Sequence, residues 1–398
     1  MPEIAARPTE TARPEQQPEF SDEALFLTDA PVPGPARQAT RAAVPFSARS
    51  VSDWTELEAI AESWQDLAAA AAEPNPFYEP WMLLPALRSF ARRERVEVVL
   101  VFRGDLLCGL FPMVQRRGRV GLWRHPYCYL TAPLLRRGCE RAAIHCWFDT
   151  LAARGAVVRL EDVPGDGCLR LHMVDELNER KWPALVSQAY TRAVLRRAPS
   201  AEDFLTRALA AKRRKEFRRQ RARLAELGRL TTEELPPGAN PAVWVDEFLD
   251  LETRGWKGRE GVDSARDRTF VQQMAAGAAR RGKLQMLALR LDGRPVALKM
   301  NLVGGEGAFA FKITFDESFG RFSPGVLLEL DNVDRAHQLP ALRWMDSCAA
   351  PNRFMINHLW PDRREMQTLF FSTGSRRGAL AVAMMPFLHF LRRLVRAA

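Results

Sequence analysis

Residues 308–346, AFAFKITFDESFGRFSPGVLLELDNVDRAHQLPALRWMD, hold the densest run of residue types suited to chemistry. Phe309, Phe311, Ile313 and Phe315 alternate, which predicts a strand with Lys312 and Asp316 on the face away from the phenylalanines. The chain then turns. Ser323 suits a helix N-cap, Pro324 the first helical position, and Val326, Leu327, Leu328 and Leu330 the helix itself. A strand that feeds a helix N-terminus aims free backbone N–H groups and the positive dipole end at one place, a prepared site for phosphate. Gly325 there lets a pyrophosphate approach the backbone. A plain strand–loop–helix is the structural alternative, and no G-K-[ST] follows, so this is not a P-loop. Cys348 with His358 offers a thiol and a base, but no third orienting group is evident.

Two similar sets of elements position these residues. Residues 98–113, VVLVFRGDLLCGLFPM, and 286–300, MLALRLDGRPVALKM, each read as strand, glycine turn, strand, with Gly104 and Gly293 in matching places. A helix precedes each hairpin, at 80–92 and 269–281. A helix and a strand follow each, at 138–154 and 157–161 in the first copy and at 324–337 and 342–346 in the second. The fold class expected is therefore α/β (α+β): two tandem domains of one type, each with a mixed central sheet. The expected boundaries are 46–190 and 231–370. This period is far too long for a solenoid. Residues 1–45, rich in Pro, Ala and Glu, read as a disordered leader. Ser52 or Asp53 caps the first helix, which carries Trp54, Leu57, Ile60, Trp64 and Leu67.

A connecting helix is expected over 200–228, with Ser200 and Asp203 as a capping box, Gly228 as its stop and Ala210, Phe217 and Leu224 as a heptad stripe. Between residues 207 and 229 lie ten basic and two acidic residues, so this segment carries most of the chain's net charge of +10. The ordinary reading is a solvated face. The other is an anionic partner such as tRNA phosphates, although Phe217 is the lone aromatic available for stacking. The last segment, 371–398, is basic and amphipathic, and could lie on an anionic membrane surface or dock on the protein. The six cysteines form no C-x-x-C pair, which excludes zinc-ribbon and thioredoxin readings and fits free thiols in a reducing cytosol. No metal is expected. MPEIAARPTE shows no apolar signal region, and no apolar run is long enough to span a bilayer.

Gly282–Ala297, Phe311–Glu317, Phe322–Leu328, Trp344–Pro351 and Met355–Pro361, with Leu251–Gly258 upstream, resemble the cellulose-biosynthesis, CelD-type branch of the GNAT acyltransferases. That branch is similar in architecture to the twin-domain Fem-type transferases. The resemblance covers about residues 50–370 and is most specific in the second half. It implies acyl transfer to an amine, with acyl-CoA as donor and its pyrophosphate against Gly320, Arg321, Phe322, Ser323, Pro324, Gly325 and Val326. Thr131-Ala132-Pro133 stands in the corresponding place of the first copy without S-P-G, which makes the second copy the donor-binding one.

Such a reaction needs a base for the amine and a donor for the oxyanion. Asp346, at a strand end beside the site, is the first candidate base; capping the next turn is its structural alternative. Lys312 and Asp316 either orient substrate or form an exposed pair. His358 is a candidate proton carrier, or a structural histidine. Trp256, Lys257 and Trp360 are candidates to line the substrate pocket. The acceptor expected is a small-molecule or glycan-precursor amine in cell-envelope or exopolysaccharide synthesis, in the cytoplasm or peripheral at the inner membrane face. Two alternatives stand beside it: an aminoacyl-tRNA-dependent Fem-type transferase, and a non-catalytic assembly factor for a polysaccharide synthase.

Overall fold

The computed structural model describes residues 44–116, 118–154, 157–255 and 264–387; the expected leader up to residue 43 and the end of the basic tail, 388–398, lie outside them. The first half runs β1 (Phe46–Val51), α1 (Trp54–Ala59), α2 (Ala61–Ala69), α3 (Pro80–Phe90), β2 (Arg95–Arg103), β3 (Leu106–Arg116), β4 (Arg119–Leu122), β5 (Leu134–Leu135), α4 (Glu140–Ala152), β6 (Val157–Pro164), α5 (Cys168–Arg180) and β7 (Ala184–Arg196). Helices α6 (Ala201–Ala208) and α7 (Ala211–Ala225) lead to the second half. This runs β8 (Leu230–Glu234), α8 (Ala242–Arg254), α9 (Ala265–Ala279), β9 (Leu284–Leu291), β10 (Arg294–Gly304), β11 (Gly307–Phe315), α10 (Pro324–Gln338), β12 (Trp344–Asp346), α11 (Phe354–Leu359) and β13 (Asp362–Ser372). Helix α12 (Arg376–Ala383) follows.

The matching hairpins are present. Gly104 has φ +58° between β2 and β3, and Asp292 and Gly293, at φ 48° and 78°, make the two-residue turn between β9 and β10. The two sheets expected are merged. Their strands form one mixed sheet in the order β1-β2-β3-β4-β6-β13-β7-β12-β11-β10-β9-β8, with β5 on β3. The order reads as a palindrome because each half gives its last strand to the other. β13 pairs with β6, and β7 pairs with β12. The expected boundaries at 190 and 370 therefore fall inside the two exchanged strands.

The single helix expected over 200–228 is two helices. Ser200 caps the first, accepting from Asp203 N, but Leu209 takes an extended conformation that buries its side chain. Phe217 and Leu224 are buried as the stripe predicts, whereas Ala210 lies exposed before α7. Similarly, Asp53 caps a first helix that breaks at Ile60 into α1 and α2.

One face of the sheet is covered jointly. Helices α1–α3 of the first half and α8 and α9 of the second share a core that includes Trp64, Phe77, Trp81, Phe248, Phe270, Phe309 and Phe311. Gly277 permits the close crossing of α3 and α9, since a Cβ there would stand 2.9 Å from the Trp81 Cβ. On the other face α4 and α5 cover the first half, while α6, α7, α10 and α11 cover the second.

Candidate active site

Strand β11 separates from β12 partway along its length. Their parallel ladder stops at Phe309↔Asp346, while β11 runs on to Phe315 and into the turn before α10. The faces of β11 differ from the simple alternation. Met300 pairs with Lys312 but Asn301 with Ala310, so Phe311 is an extra residue, a β-bulge. The bulge moves Lys312 onto the side of Phe309 and Phe311. Its Nζ donates to Glu252 Oε1 of α8 at 2.8 Å and stands 5.7 Å from the Tyr127 ring. Phe315 is moved to the other side, against α10. Lys312 is therefore neither opposite the phenylalanines nor one of an exposed pair with Asp316. The rings of Tyr127 and Tyr129, from the first half, lie 6.1 and 5.9 Å from that of Phe311.

Asp346 ends β12 and is fully buried. Its Oδ2 accepts from Arg192 Nη2 of β7 at 2.6 Å and from Arg364 Nη1 of β13 at 3.5 Å. Its Oδ1 accepts from the Cys348 amide at 2.9 Å. Both oxygens are engaged, so the geometry makes Asp346 an anchor of the β12 end, and the turn-capping alternative is what the structure shows. Burial disfavours the Arg192 charge, but Asp346 together with Cys348 and Tyr190 outweighs it and raises the guanidinium pKa. Arg192 Nη1 also donates to the Tyr129 carbonyl at 2.7 Å, which joins the first half's loop to the second half's site. Cys348 has φ 53°. Burial, followed by the charge of Asp346, pushes its thiol well above the usual range, so it is not a thiolate nucleophile.

The turn between β11 and α10 is capped by Asp316, whose Oδ1 accepts from Ser318 N at 2.9 Å and Ser318 Oγ at 2.6 Å. Asp316 thus shapes the turn. Ser323 occupies the N-cap position but in the left-handed region, φ 52° and ψ 51°, and its side chain makes no cap hydrogen bond. Its carbonyl instead takes the amides of Val326 at 2.9 Å and Leu327 at 3.1 Å, so the Val326 amide is already committed. Gly325 turns its bare side to Phe315. A Cβ there would meet the ring at 3.3 Å, so glycine is set by helix–strand packing as well as by backbone access. Arg321 is exposed and stacks on Phe322 at 4.6 Å. The first turn of α10 holds no acidic residue, which keeps the dipole end open to an anion.

Beneath α10 runs a buried polar chain. Lys299 pairs with Glu329 at 2.7 Å, Asn332 donates to Glu329 at 2.9 Å, and Asn301 donates to Asn332 at 2.8 Å and to Gln285 at 3.0 Å. Trp360 is fully buried beside it, its ring 5.8 Å from Lys299 Nζ, so it forms part of the floor and does not line an open pocket. His358 stands apart, exposed on α11, with Nδ1 donating to its own helix at Phe354 O, 2.8 Å away. Trp256 and Lys257 lie outside the described residues. Among the described residues no group of three or more His, Cys, Asp or Glu is placed to hold a metal, and no helix is long and apolar enough to cross a membrane.

Glu252, Arg192, Tyr127 and Tyr129 are the site residues that sequence reasoning missed. Glu252 left one signal: it falls on the apolar face of α8 with Val245, Phe248 and Leu249, a strange place for a charge. The others reach the site only through the strand exchange. The basic helix α7 packs against the 317–322 turn and the start of α10. Arg221 donates to Leu327 O at 3.1 Å and pairs with Asp331 at 2.5 Å; Arg214 pairs with Glu202 at 2.7 Å and Arg219 with Glu216 at 2.8 Å. Lys212, Arg213, Lys215, Arg218 and Arg223 are exposed.

Residues 211–354 match the acetyltransferase (GNAT) domain family. The match to a GNAT-type acetyltransferase domain thus lies within the second half. The matched stretch runs from α7 to the start of α11 and so contains β11, the turn and α10. No curated protein matches the chain. Among solved structures the fold is similar to FemX, with TM-score 0.54, 9% identity, and 82% of this chain and 98% of that one covered. It is similar also to the C-terminal domain of a putative lysylphosphatidylglycerol synthetase from Agrobacterium fabrum, with TM-score 0.53, 13% identity and 82% and 95% covered. A third likeness is to L-PGS from Bacillus licheniformis, with TM-score 0.51, 11% identity and 82% and 95% covered. At these identities the likeness is one of fold, and it spans both halves of the chain.

Proposed function

We propose that the protein is an N-acyltransferase that moves an acyl group from acyl-CoA to an amine where β11 and β12 part. One observation carries the reading. β11 runs on past Phe309 with β12 gone from one side and β10 still paired on the other, and delivers the chain, through the Asp316-capped turn, to a helix N-terminus free of acidic residues. The β12-side edge of this stretch is where an extended donor arm lies, and α10 offers its dipole to the donor phosphates. Arg321 supplies a further positive charge. The first half binds no donor in this reading, because its own loop fills the equivalent place. The GNAT domain match favours a transferase over a non-catalytic assembly factor. The acceptor fits the class of small-molecule or glycan-precursor amines, in the setting of cell-envelope or exopolysaccharide synthesis at the inner membrane face.

A second reading, transfer from aminoacyl-tRNA, is favoured by a specific feature: the exposed cations of α7 flank the same turn. Assays with acetyl-CoA, longer acyl-CoAs and charged tRNA, with n-butylamine and glucosamine as acceptors and mass spectrometry of products, separate the two. Acyl transfer from a CoA thioester supports the first. Sub-micromolar tRNA binding that falls with salt by about 0.7 to 0.9 log units per phosphate contact, and that is lost when Arg213, Arg214, Arg218 and Arg219 become Gln, moves the protein to the second.

A further inference from the structure

Glu252 sits in the last turns of α8 with 1% of its surface exposed. Burying a carboxylate is costly unless both oxygens find partners. Oε1 accepts from Lys312, but Oε2 is buried with no hydrogen-bond partner among the described residues. Lys312 balances the carboxylate's charge through Oε1, so the second oxygen is left for a donor from outside the chain. The surroundings suit one. The ring of Tyr129 lies 5.9 Å from that of Phe311, on the side of β11 to which the bulge brings Lys312, and its carbonyl is held by Arg192 beside the end of β12; burial, with Cys348 and then Glu252 adding, raises its phenol pKa. The end of α8 abuts the donor turn, since a Cβ on Gly255 would stand 3.4 Å from the Glu317 carboxylate.

We propose that Glu252, Lys312 and Tyr129 form the subsite for the acceptor's primary ammonium group, which donates a hydrogen bond to Glu252 Oε2 while its charge faces the tyrosine. The inference rests on the acyl-transfer reading above and names its acceptor subsite. The ammonium gives one proton to the Glu252 carboxylate and becomes an amine. Its nitrogen lone pair attacks the acyl carbonyl carbon, forming the C–N bond and placing negative charge on oxygen. Collapse breaks the bond to the donor sulfur, which leaves with the electron pair and takes the second nitrogen proton. Amide and thiol are the products, and the proton on Glu252 returns to solvent.

The test uses the full chain at neutral pH, with n-butylammonium as probe and n-butanol as its uncharged counterpart, in thermal-shift titrations. The wild type is expected to be stabilised by the ammonium and not by the alcohol. Glu252→Gln should raise the half-saturating concentration about tenfold or more, the worth of one hydrogen bond to a charged group. The double variant Glu252→Gln, Lys312→Met leaves neither charge unpaired and should lose the discrimination in the same way, which covers a single variant that fails to fold. Acetyl-CoA binding should be unchanged in both. If the wild type treats the two probes alike, or both variants keep wild-type ammonium binding, the subsite is overturned whatever acetyl-CoA does. Loss of acetyl-CoA binding by the wild type with ammonium discrimination intact counts against the donor reading and leaves the subsite standing.

Discussion

The two halves share an order of strands and differ in what fills the place where two parallel neighbours separate. In the first half β4 and β6 pair only at Arg119↔Val157 and Val120↔Val158. The gap beyond is packed with the chain's own segment 123–133, in which Trp123, His125, Tyr127, Cys128, Leu130, Thr131 and Ala132 are buried. Asn75 Nδ2 holds the carbonyls of Leu130 and Ala132 at 3.1 and 2.6 Å, Tyr78 OH holds that of Trp123 at 2.8 Å, and Arg192 holds that of Tyr129. In the second half the matching turn is short, and Glu317, Ser318, Gly320 and Arg321 are exposed. The helices agree with this: Glu140 stands in the first turn of α4 and satisfies its dipole, whereas α10 has no acid there. One topology thus yields a gap filled by a long buried segment and one bordered by a short exposed turn. The filling segment also brings Tyr127 and Tyr129 to its neighbour's site.

The largest expected effect comes from the contact that joins the two regions. Arg192→Ala leaves Asp346 buried without its main partner and should cost about 3–5 kcal/mol in urea unfolding. Arg192→Met with Asp346→Leu should recover most of that loss. If the single variant costs under about 1 kcal/mol, the two regions are not coupled through this pair.

Two glycines then compare filled with open directly. At Gly121 a Cβ would lie 2.2 Å from the Arg159 carbonyl oxygen, while at Gly320 it would meet nothing within 4 Å. Gly121→Ala should destabilise by about 3 kcal/mol and Gly320→Ala by about 0.5 kcal/mol or less. Equal thermal shifts would erase the contrast.

Acid should act on the filled region through His125. Burial, with Arg124 adding, lowers its pKa from 6.5 to about 3. Between these values the unfolded chain takes up a proton that the folded chain refuses. The stability tied to the neutral ring is therefore complete above pH 6.5 and is lost as pH falls toward 3. The wild type should lose about 1.4 kcal/mol per pH unit relative to His125→Phe in that window. Parallel pH curves for the two proteins would show that the ring is not buried neutral.

Much of the fold was legible because its signals are local. The turns at Gly104 and at Asp292-Gly293, the order of elements in each copy and the start of α10 at Pro324 each depend on a few neighbouring residues. The strand exchange was not legible, since β7 and β13 read identically whichever half they join. One extra residue, Phe311, displaced Lys312 from its expected face. The pairs Lys312–Glu252 and Arg192–Asp346 lie 60 and 154 residues apart, and no spacing rule reaches that far. His358 drew notice through its residue type alone, and the structure leaves it on an exposed helix surface.

A modest effect belongs to the turn's cap. Asp316→Ala removes the cap on Ser318 and should cost about 1 kcal/mol, with donor binding weakened more than stability, as paired calorimetric and unfolding measurements would show. Unchanged donor binding would place the donor away from this turn.

The central claim is that one of the two gaps receives a donor. Hydrogen–deuterium exchange of the full chain with and without saturating acetyl-CoA tests it most directly. The account predicts slowed exchange across 310–327, with 119–141 unchanged. Slowing in the first-half segment, or none across 310–327, would contradict it.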